Sequence, residues 1–308
     1  MKILRHAPAP TPTAIAIGSF DGVHRGHQAM LARVAAAARE RALASAALTF
    51  EPLPREYFTA ASAPARLASL AEKLAAIEAA GIETTFVERV GQPFAALTAP
   101  QFEHRLSQHY RARWVMIGRD FRYGAGRKGD AETLAAAGRE LGFEVEVLPE
   151  VAVDGERVSS TRVREALAAS DFAAAARLLG RPYAISGRVV HGAKRGRGMG
   201  FPTANVRLAR PRAALHGIFA VKCFGAATRG LEGVASLGIN PAVQVGGPAT
   251  LEAFLFDFSG DLYGRRLTIE FVKKLRDEAH FASLDELRAQ IRRDCDEARE
   301  HFRAPATR

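Results

Sequence analysis

I-A-I-G-S-F-D-G-V-H-R-G-H, residues 15–27, begins with three apolar residues that predict a short buried strand. Glycines at positions 18, 22 and 26 then predict a tight turn, and the alanine-rich residues 28–43 predict a helix. A strand, a glycine-rich turn and a helix start together direct backbone N–H groups and the positive end of the helix dipole toward an anion. The stretch therefore predicts a binding site for a nucleotide phosphate.

Two histidines in this stretch, His24 and His27, lie three residues apart. If His27 opens the helix, both imidazoles can face the same bound group. The pattern is neither a Walker loop, which ends in Gly-Lys-Ser/Thr, nor the dinucleotide pattern G-x-G-x-x-G. The alternative is a turn whose histidines only cap a helix, and the phosphate-binding geometry around the pair favours a site.

The composition is that of an ordinary globular protein, with 48% hydrophobic and 25% charged residues in a chain of 308. This length predicts two domains, each large enough for its own core. The formal net charge of +10 is compatible with nucleic-acid binding, with attraction of polyanionic nucleotides, or with basic residues spread over solvated faces. The chain has no five consecutive basic residues, so we expect no nucleic-acid partner. We expect no secretory signal, because prolines soon interrupt the N-terminal residues, and the sequence contains no apolar run of membrane-spanning length. Two cysteines are too few for a disulfide framework, so we expect a cytoplasmic protein.

The first half alternates predicted strands with predicted helices. Strands are predicted at 46–50, 84–88, 114–118 and 143–148, and helices at 67–80, 100–110, 131–141 and 171–179. This alternation predicts an α/β fold with a parallel, doubly wound sheet. Ligands of such sheets bind beyond the carboxyl ends of the strands.

The ten-residue pattern G-x-F-D-G-x-H-x-G-H that begins at Gly18 resembles the adenylyltransferase module of bacterial bifunctional riboflavin kinase/FAD synthetases. Its shorter form, H-x-G-H, resembles the signature of the nucleotidyltransferase superfamily, which has a Rossmann-like fold. The resemblance implies catalytic roles for His24 and His27. It implies ATP contacts by Gly18, Phe20, Asp21 and Gly26.

Three further segments of the first half resemble the same family. V-S-S-T-R-V-R, residues 158–164, is similar to the second superfamily signature, and implies ATP contacts by Ser159, Ser160 and Thr161 and a catalytic role for Arg164. Physically, these residues offer hydroxyls at a helix start and a cationic fork for phosphates. G-R-D-F-R-Y-G, residues 118–124, resembles a loop at the flavin and nucleotide pockets, which implies flavin contacts by Asp120, Phe121 and Tyr123. F-E-P-L-P, residues 50–54, has leucine at 53 where the family has histidine.

The second half, from residue 183, has a different pattern. Six short strands are predicted at 184–190, 203–208, 218–224, 233–237, 251–258 and 267–274, followed by a helix that Ser283 caps and that ends near residue 302. Short strands with frequent glycine predict a six-stranded antiparallel β-barrel with a closing helix. We place the boundary between the domains after residue 182, and the resemblance to the bifunctional family implies an adenylyltransferase domain over 1–182 and a kinase domain over 183–308.

The segment G-R-G-M-G-F-P-T-A-N, residues 196–205, resembles that of riboflavin kinases. The resemblance implies that Thr203 and Asn205 ligate Mg²⁺ together with the ATP phosphates. Glu252 lies in an apolar strand within a segment that matches the family, and suits a general base for the riboflavin 5′-hydroxyl. The remaining contacts are implied for ATP by Lys194, Arg197, Gly198 and Gly200, and for flavin by Arg276, Glu278 and Phe281. Asn240 stands where the family has arginine.

The sequence thus predicts a bifunctional enzyme that phosphorylates riboflavin to FMN and adenylylates FMN to FAD, with ATP as co-substrate and Mg²⁺ in both steps. Because the nucleophile of the second step is already an anion, alignment and charge neutralisation are what that step needs. Three alternatives stay open. In the first, the departures at Leu53 and Asn240 leave only one of the two activities functional. In the second, the chain is a flavin- or RNA-binding regulator that retains the folds. In the third, the first domain adenylylates another acceptor. We expect small-molecule partners and no membrane, and the sequence does not give the oligomeric state.

Overall fold

The chain divides into two units in this computed structural model, which describes residues 1–192, 200–210, 212–239 and 249–304. The first unit holds Met1–Pro64 and Leu70–Ser160, and the second holds Ala65–Ser69 and Thr161–Arg308. The placement of a sequence boundary after residue 182 stays a prediction.

The first unit is built on a sheet of six parallel strands in the order β1-β4-β3-β2-β5-β6. The strands are β1 Lys2–Leu4, β2 Thr13–Ile17, β3 Ala44–Glu51, β4 Thr84–Arg89, β5 Ala112–Gly118 and β6 Glu144–Leu148. The helices between them are α1 Arg25–Glu40, α2 Pro54–Phe58, α3 Leu70–Ala79, α4 Gln92–Ala95, α5 Ala99–Gln108 and α6 Ala131–Leu141. A hairpin of β7 Ala152–Val153 and β8 Glu156–Arg157 follows the sheet.

Helices cover both faces of this sheet. Alternate residues of β2 enter two different apolar cores: Ala14 and Ala16 pack with Leu31 of α1, whereas Ile15 and Ile17 pack with Leu106 of α5. A central strand buried on both faces is the reason that residues 14–17 are continuously apolar. The predicted doubly wound fold is therefore confirmed.

Some details of the first unit differ from the predictions, among them the short elements α2, α4, β7 and β8, which were not predicted. The helix predicted at residues 28–43 begins at Arg25, because His24 already has extended backbone geometry and caps it. Strand β1 has no counterpart among the predicted strands. Its three residues carry no alternation, and pairing with the distant β4 forms the strand.

The second unit contains α7 Ser160–Ala168, which starts at the last residue of the first unit, and α8 Phe172–Leu179. A closed barrel follows, in the order β10-β13-β12-β11-β14-β9 with antiparallel pairing throughout. Its strands are β9 Ala184–Val190, β10 Thr203–Val206, β11 Gly217–Phe224, β12 Leu231–Ile239, β13 Ala249–Leu255 and β14 Arg266–Arg276. The predicted barrel is confirmed.

The closing helix, α9 Leu284–Arg303, is also confirmed. The Ser283 side chain accepts a hydrogen bond from Glu286 N at 3.2 Å, as an N-cap should. Cys295 and Ala298 of this helix pack with Ile218 and Phe256 in the core of the unit. Among the described helices, none combines the length and the apolar character that crossing a membrane requires.

Candidate active sites

The turn after β2 holds three residues in the left-handed region: Phe20 at φ 49°, Gly22 at φ 81° and Val23 at φ 42°. Positive φ strains residues other than glycine, and a β-branched valine most of all. Phe20 is fully buried, and a Cβ at Gly18 would lie 3.2 Å from its ring. Strained backbone that the surrounding packing holds in place is typical of functional sites.

The two predicted histidines lie together at the start of α1. Their rings stack with centroids 3.7 Å apart, and His24 Nδ1 accepts a hydrogen bond from His27 N at 3.4 Å. Because Nδ1 of His24 accepts, the proton of the neutral ring is on Nε2. Burial, then the His24 imidazole and the Lys73 ammonium, hold the pKa of His27 well below its usual 6.5. The site thus presents a neutral His27 imidazole at the positive end of a helix, beside a His24 ring whose Nδ1 accepts a hydrogen bond.

The start of the second predicted signature lies against this turn. Ser160 Oγ donates a hydrogen bond to the Asp21 carbonyl at 3.0 Å, and Val158 O lies 3.8 Å from the place of a Cβ at Gly26. The start of the second signature, residues 158–160, therefore meets the first signature within the first unit. Thr161 and Arg164 fall in the second unit, where Arg164 Nε donates to the Ala65 carbonyl at 2.6 Å.

The loop after β5 carries the three residues predicted to contact flavin. Asp120 forms an ion pair with Arg157, and this hydrogen bond is the main reason that the pKa of Asp120 is lowered. Phe121 stacks on Tyr123 with ring centroids 5.5 Å apart. The Tyr123 hydroxyl is buried and donates to Glu103, and burial, followed by that bond, raises the pKa of Tyr123. Flavin contact by these residues stays a prediction.

Lys73 is a polar residue near this turn that the sequence did not single out. It lies in an alanine-rich helix, where the pattern predicts a solvated lysine, yet only 1% of its surface is exposed. Leu53, the departure from the family pattern, is buried as well. Nothing in the sequence of α3 indicates that its lysine faces the end of the sheet.

The second unit holds a cavity of about 290 Å³ between the barrel and α9. Five of the predicted site residues line it: Thr203, Glu252, Arg276, Glu278 and Phe281. They come from the three strands β10, β13 and β14 and from the segment after β14, so the fold brings together residues that the sequence separates widely. Apolar side chains complete the lining, among them Ile218, Val234, Phe254, Leu287 and Ile291. An apolar cavity with a few polar groups suits a largely apolar ring system.

Glu252 lies between two polar neighbours at the edge of this cavity. Thr203 Oγ1 donates a hydrogen bond to Glu252 Oε2 at 3.2 Å. Asn205 is the cross-strand partner of Glu252 on β10, and Ser236 is its partner on β12. A Cβ at Gly192 would clash with the side-chain amide of Asn205, so only glycine leaves room for that amide.

Arg276 is bound by α9. Its Nε and Nη2 donate to the two oxygens of Asp294 at 2.9 and 2.8 Å, and its guanidinium lies 5.6 Å from the Phe281 ring centroid. A Cβ at Gly238 would meet the Glu278 carboxylate, so this glycine makes space for it. Gly200 has φ 85°, which favours glycine. The predicted residues Lys194, Arg197 and Gly198, and the departure at Asn240, lie outside the described residues.

Family models match both units. Residues 6–162 match the model of FAD synthetase, and residues 179–302 match the model of riboflavin kinase. The α/β sheet with its histidine turn and the barrel with its cavity therefore define a two-domain protein of flavin nucleotide synthesis.

Curated relatives match along nearly the whole length. The bifunctional riboflavin kinase/FMN adenylyltransferase of Escherichia coli (strain K12) is 46% identical over 98% of both chains, and that of Pseudomonas fluorescens is 47% identical over 92% of this chain and 91% of its own. This chain belongs to the family of bifunctional riboflavin kinase/FMN adenylyltransferases. A crystal structure described as a macrolide-efflux protein from Streptococcus pneumoniae covers 97% of this chain and 99% of its own, at 29% identity and a TM-score of 0.77. The fold is thus common to both chains along their length.

Proposed function

We propose that this chain transfers the γ-phosphoryl group of ATP to the 5′-hydroxyl of riboflavin, and then transfers the AMP part of a second ATP to the FMN formed. The products are FMN and ADP, then FAD and pyrophosphate. The observation that carries the proposal is the hydrogen bond of Thr203 to Glu252 beside the cavity of a barrel of the riboflavin kinase family.

In the first step, the cavity would hold the flavin ring and Glu252 would face the ribityl 5′-hydroxyl. The Glu252 carboxylate accepts the hydroxyl proton as the oxygen attacks the γ-phosphorus, and ADP leaves. The hydrogen bond from Thr203 orients the carboxylate for this role. The bond between Arg276 and Asp294 holds the end of β14 against α9 and so fixes one wall of the cavity.

In the second step, an FMN phosphate oxygen attacks the α-phosphorus of ATP and pyrophosphate leaves. The attacking group is already an anion, so the turn has to align it and to stabilise the charge that develops. His24 suits this task because its Nε2–H can donate to a phosphate oxygen, while His27, Ser160 and the start of α1 complete an anion-binding surface. We assign Arg164 to the triphosphate.

Mg²⁺ fits the oxygen donors of the kinase site. Thr203 and Asn205 offer a hydroxyl and an amide oxygen two residues apart on β10, beside the Glu252 carboxylate. Mg²⁺ prefers such oxygens together with phosphates and water. When bound, the ion neutralises charge on the ATP phosphates. A cytoplasmic location belongs to the proposal as well, and two free buried cysteines support it.

A chromatographic time course of the purified chain with riboflavin, ATP and Mg²⁺ tests the proposal. We expect FMN to appear first and FAD to follow at its expense. FMN alone would mean that the first unit does not adenylylate it, and would direct attention to Leu53. FAD formed only from added FMN would remove the kinase activity from the proposal. No product from either flavin would overturn it.

A further inference from the structure

Lys73 of α3 is buried behind the turn that follows β2. Burying an ammonium group is costly unless its donors are satisfied. Lys73 Nζ donates to three acceptors: the Ser19 carbonyl at 3.2 Å, Thr49 Oγ1 at 3.0 Å and the Phe50 carbonyl at 3.1 Å. The ammonium therefore links the turn to the carboxyl end of β3.

These contacts fix the orientation of one peptide group. The Ser19 carbonyl also accepts a hydrogen bond from Thr49 Oγ1 at 3.2 Å, so two donors hold it. In a trans peptide the C=O and the following N–H point in opposite directions. The N–H of Phe20 therefore points away from Lys73, and within the described residues it donates to no protein acceptor.

We propose that Lys73 is a positioning residue for adenylyl transfer. Its ammonium orients the Ser19–Phe20 peptide so that the Phe20 N–H donates to a phosphate oxygen of the nucleoside triphosphate. The positive charge of Lys73, which lies on the side of the turn facing α3, also favours binding of an anion on the side to which the Phe20 N–H points. This role rests on the proposed FMN adenylyltransferase function of the first unit.

The same charge acts on His27. After burial and the His24 imidazole, Lys73 is the third cause that lowers the pKa of His27. Removal of the ammonium should therefore raise the pKa of His27. An NMR titration of His27 detects this change, which loss of packing alone would not produce.

The test compares Lys73→Met with Ile77→Ala in the full chain. Methionine keeps the length and the apolar stem but removes the charge and the donors. Ile77 is fully buried four residues along the same helix and shares an apolar core with Phe20, so its truncation loosens the packing of α3 and of the turn while leaving the hydrogen bonds of Lys73 in place. We expect Lys73→Met to lower kcat/KM for ATP in FAD formation by about 10- to 100-fold, the range for lost hydrogen bonds to charged groups. Ile77→Ala should stay within about twofold at temperatures below its unfolding.

Two further readouts accompany the kinetics. Riboflavin phosphorylation by the Lys73→Met chain should stay within about twofold of the wild type, and the NMR titration of the His27 imidazole should move to higher pH. If Lys73→Met does not fold, Thr49→Val replaces it. That variant removes one of the two hydrogen bonds to the Ser19 carbonyl and should raise the KM of ATP about 3- to 10-fold.

Any of four results would overturn the role of Lys73 without affecting the proposed function. Lys73→Met forms FAD at the wild-type rate, or Ile77→Ala loses as much activity as Lys73→Met does. The His27 titration does not move, or Thr49→Val, where it is used as the replacement, leaves the KM of ATP unchanged. A wild-type chain that makes no FAD from FMN and ATP would overturn the proposed function itself, and the role with it.

Discussion

The imidazole rings of His24 and His27 stack at a centroid distance of 3.7 Å with an angle of 16° between their planes. Two protonated rings at this distance would repel each other, and protonation of either ring would put a positive charge where little solvent can stabilise it. The structure therefore favours neutral rings, in keeping with the lowered pKa of His27.

The pKa of His27 predicts a pH-dependent stability. Below pH 6.5, the unfolded chain takes up a proton on His27, while the folded chain does not until its lower pKa is reached. The unfolded state then binds more protons, so the free energy of unfolding falls as the pH drops through this window, by about 1.4 kcal/mol per pH unit. Urea unfolding near pH 7.5 and 5.5 should show a loss about 1 kcal/mol larger for the wild type than for His27→Asn.

His6→Asn is the matched control, because the His6 side chain is exposed. It should keep the wild-type pH dependence. Equal pH dependence of the wild type and His27→Asn would contradict a lowered pKa of His27 in the folded chain.

The Arg276–Asp294 pair predicts a coupled loss of stability and flavin affinity. Asp294 is buried, both residues line the cavity, and two hydrogen bonds join them. Asp294→Asn leaves the guanidinium without its carboxylate, which should destabilise the second unit by roughly 3 kcal/mol and raise the KM of riboflavin. Urea unfolding and steady-state kinetics measure the two effects.

Asp296→Asn changes an exposed carboxylate on the same helix and should alter stability by less than about 0.5 kcal/mol. A similar, small effect of both substitutions would show that the buried pair does not hold the cavity wall.

The close approach of Gly192 to Asn205 predicts a steric effect. In Gly192→Ala, the new Cβ would clash with the Asn205 amide, so that amide or the chain around residue 192 must move. We expect at least a tenfold fall in the rate of riboflavin phosphorylation, because Asn205 is assigned to the metal and ATP phosphates, and unchanged FAD formation from added FMN. Gly91→Ala, whose Cβ would lie 3.9 Å from Pro93 Cδ, is the control that should retain both rates. A wild-type rate of riboflavin phosphorylation in Gly192→Ala would show that this reaction does not depend on the position of the Asn205 amide.

Local signals predicted much of the fold. Helix α6 runs over residues 131–141 as expected, because Asp130 caps its first turn and Gly142 ends it at φ 77°. Strand β9 also has its predicted bounds, 184–190. The three residues of β1 could not be predicted in this way, since only pairing with β4 makes them a strand.

A motif singles out candidate site residues from the sequence, but it does not indicate the distant partners that determine their surroundings. Thr203, Glu252 and Arg276, which the family pattern singled out, line one cavity, and their roles stay predictions. The pattern did not show that Asp294 binds both donor nitrogens of Arg276. Burial of Lys73 likewise depends on three acceptors from other segments, which helical periodicity cannot indicate.

The central claim is that one chain performs two reactions at two separate sites. Its most direct test is a riboflavin time course with ATP and Mg²⁺ on two full-length variants, Glu252→Gln and His24→Asn. We expect His24→Asn to accumulate FMN and to form at most about 1% of the wild-type FAD. Glu252→Gln should lose about 100-fold or more in FMN formation, yet convert added FMN to FAD at the wild-type rate. If either substitution abolishes both reactions in a folded chain, or if Glu252→Gln still phosphorylates riboflavin at full rate, the account is contradicted.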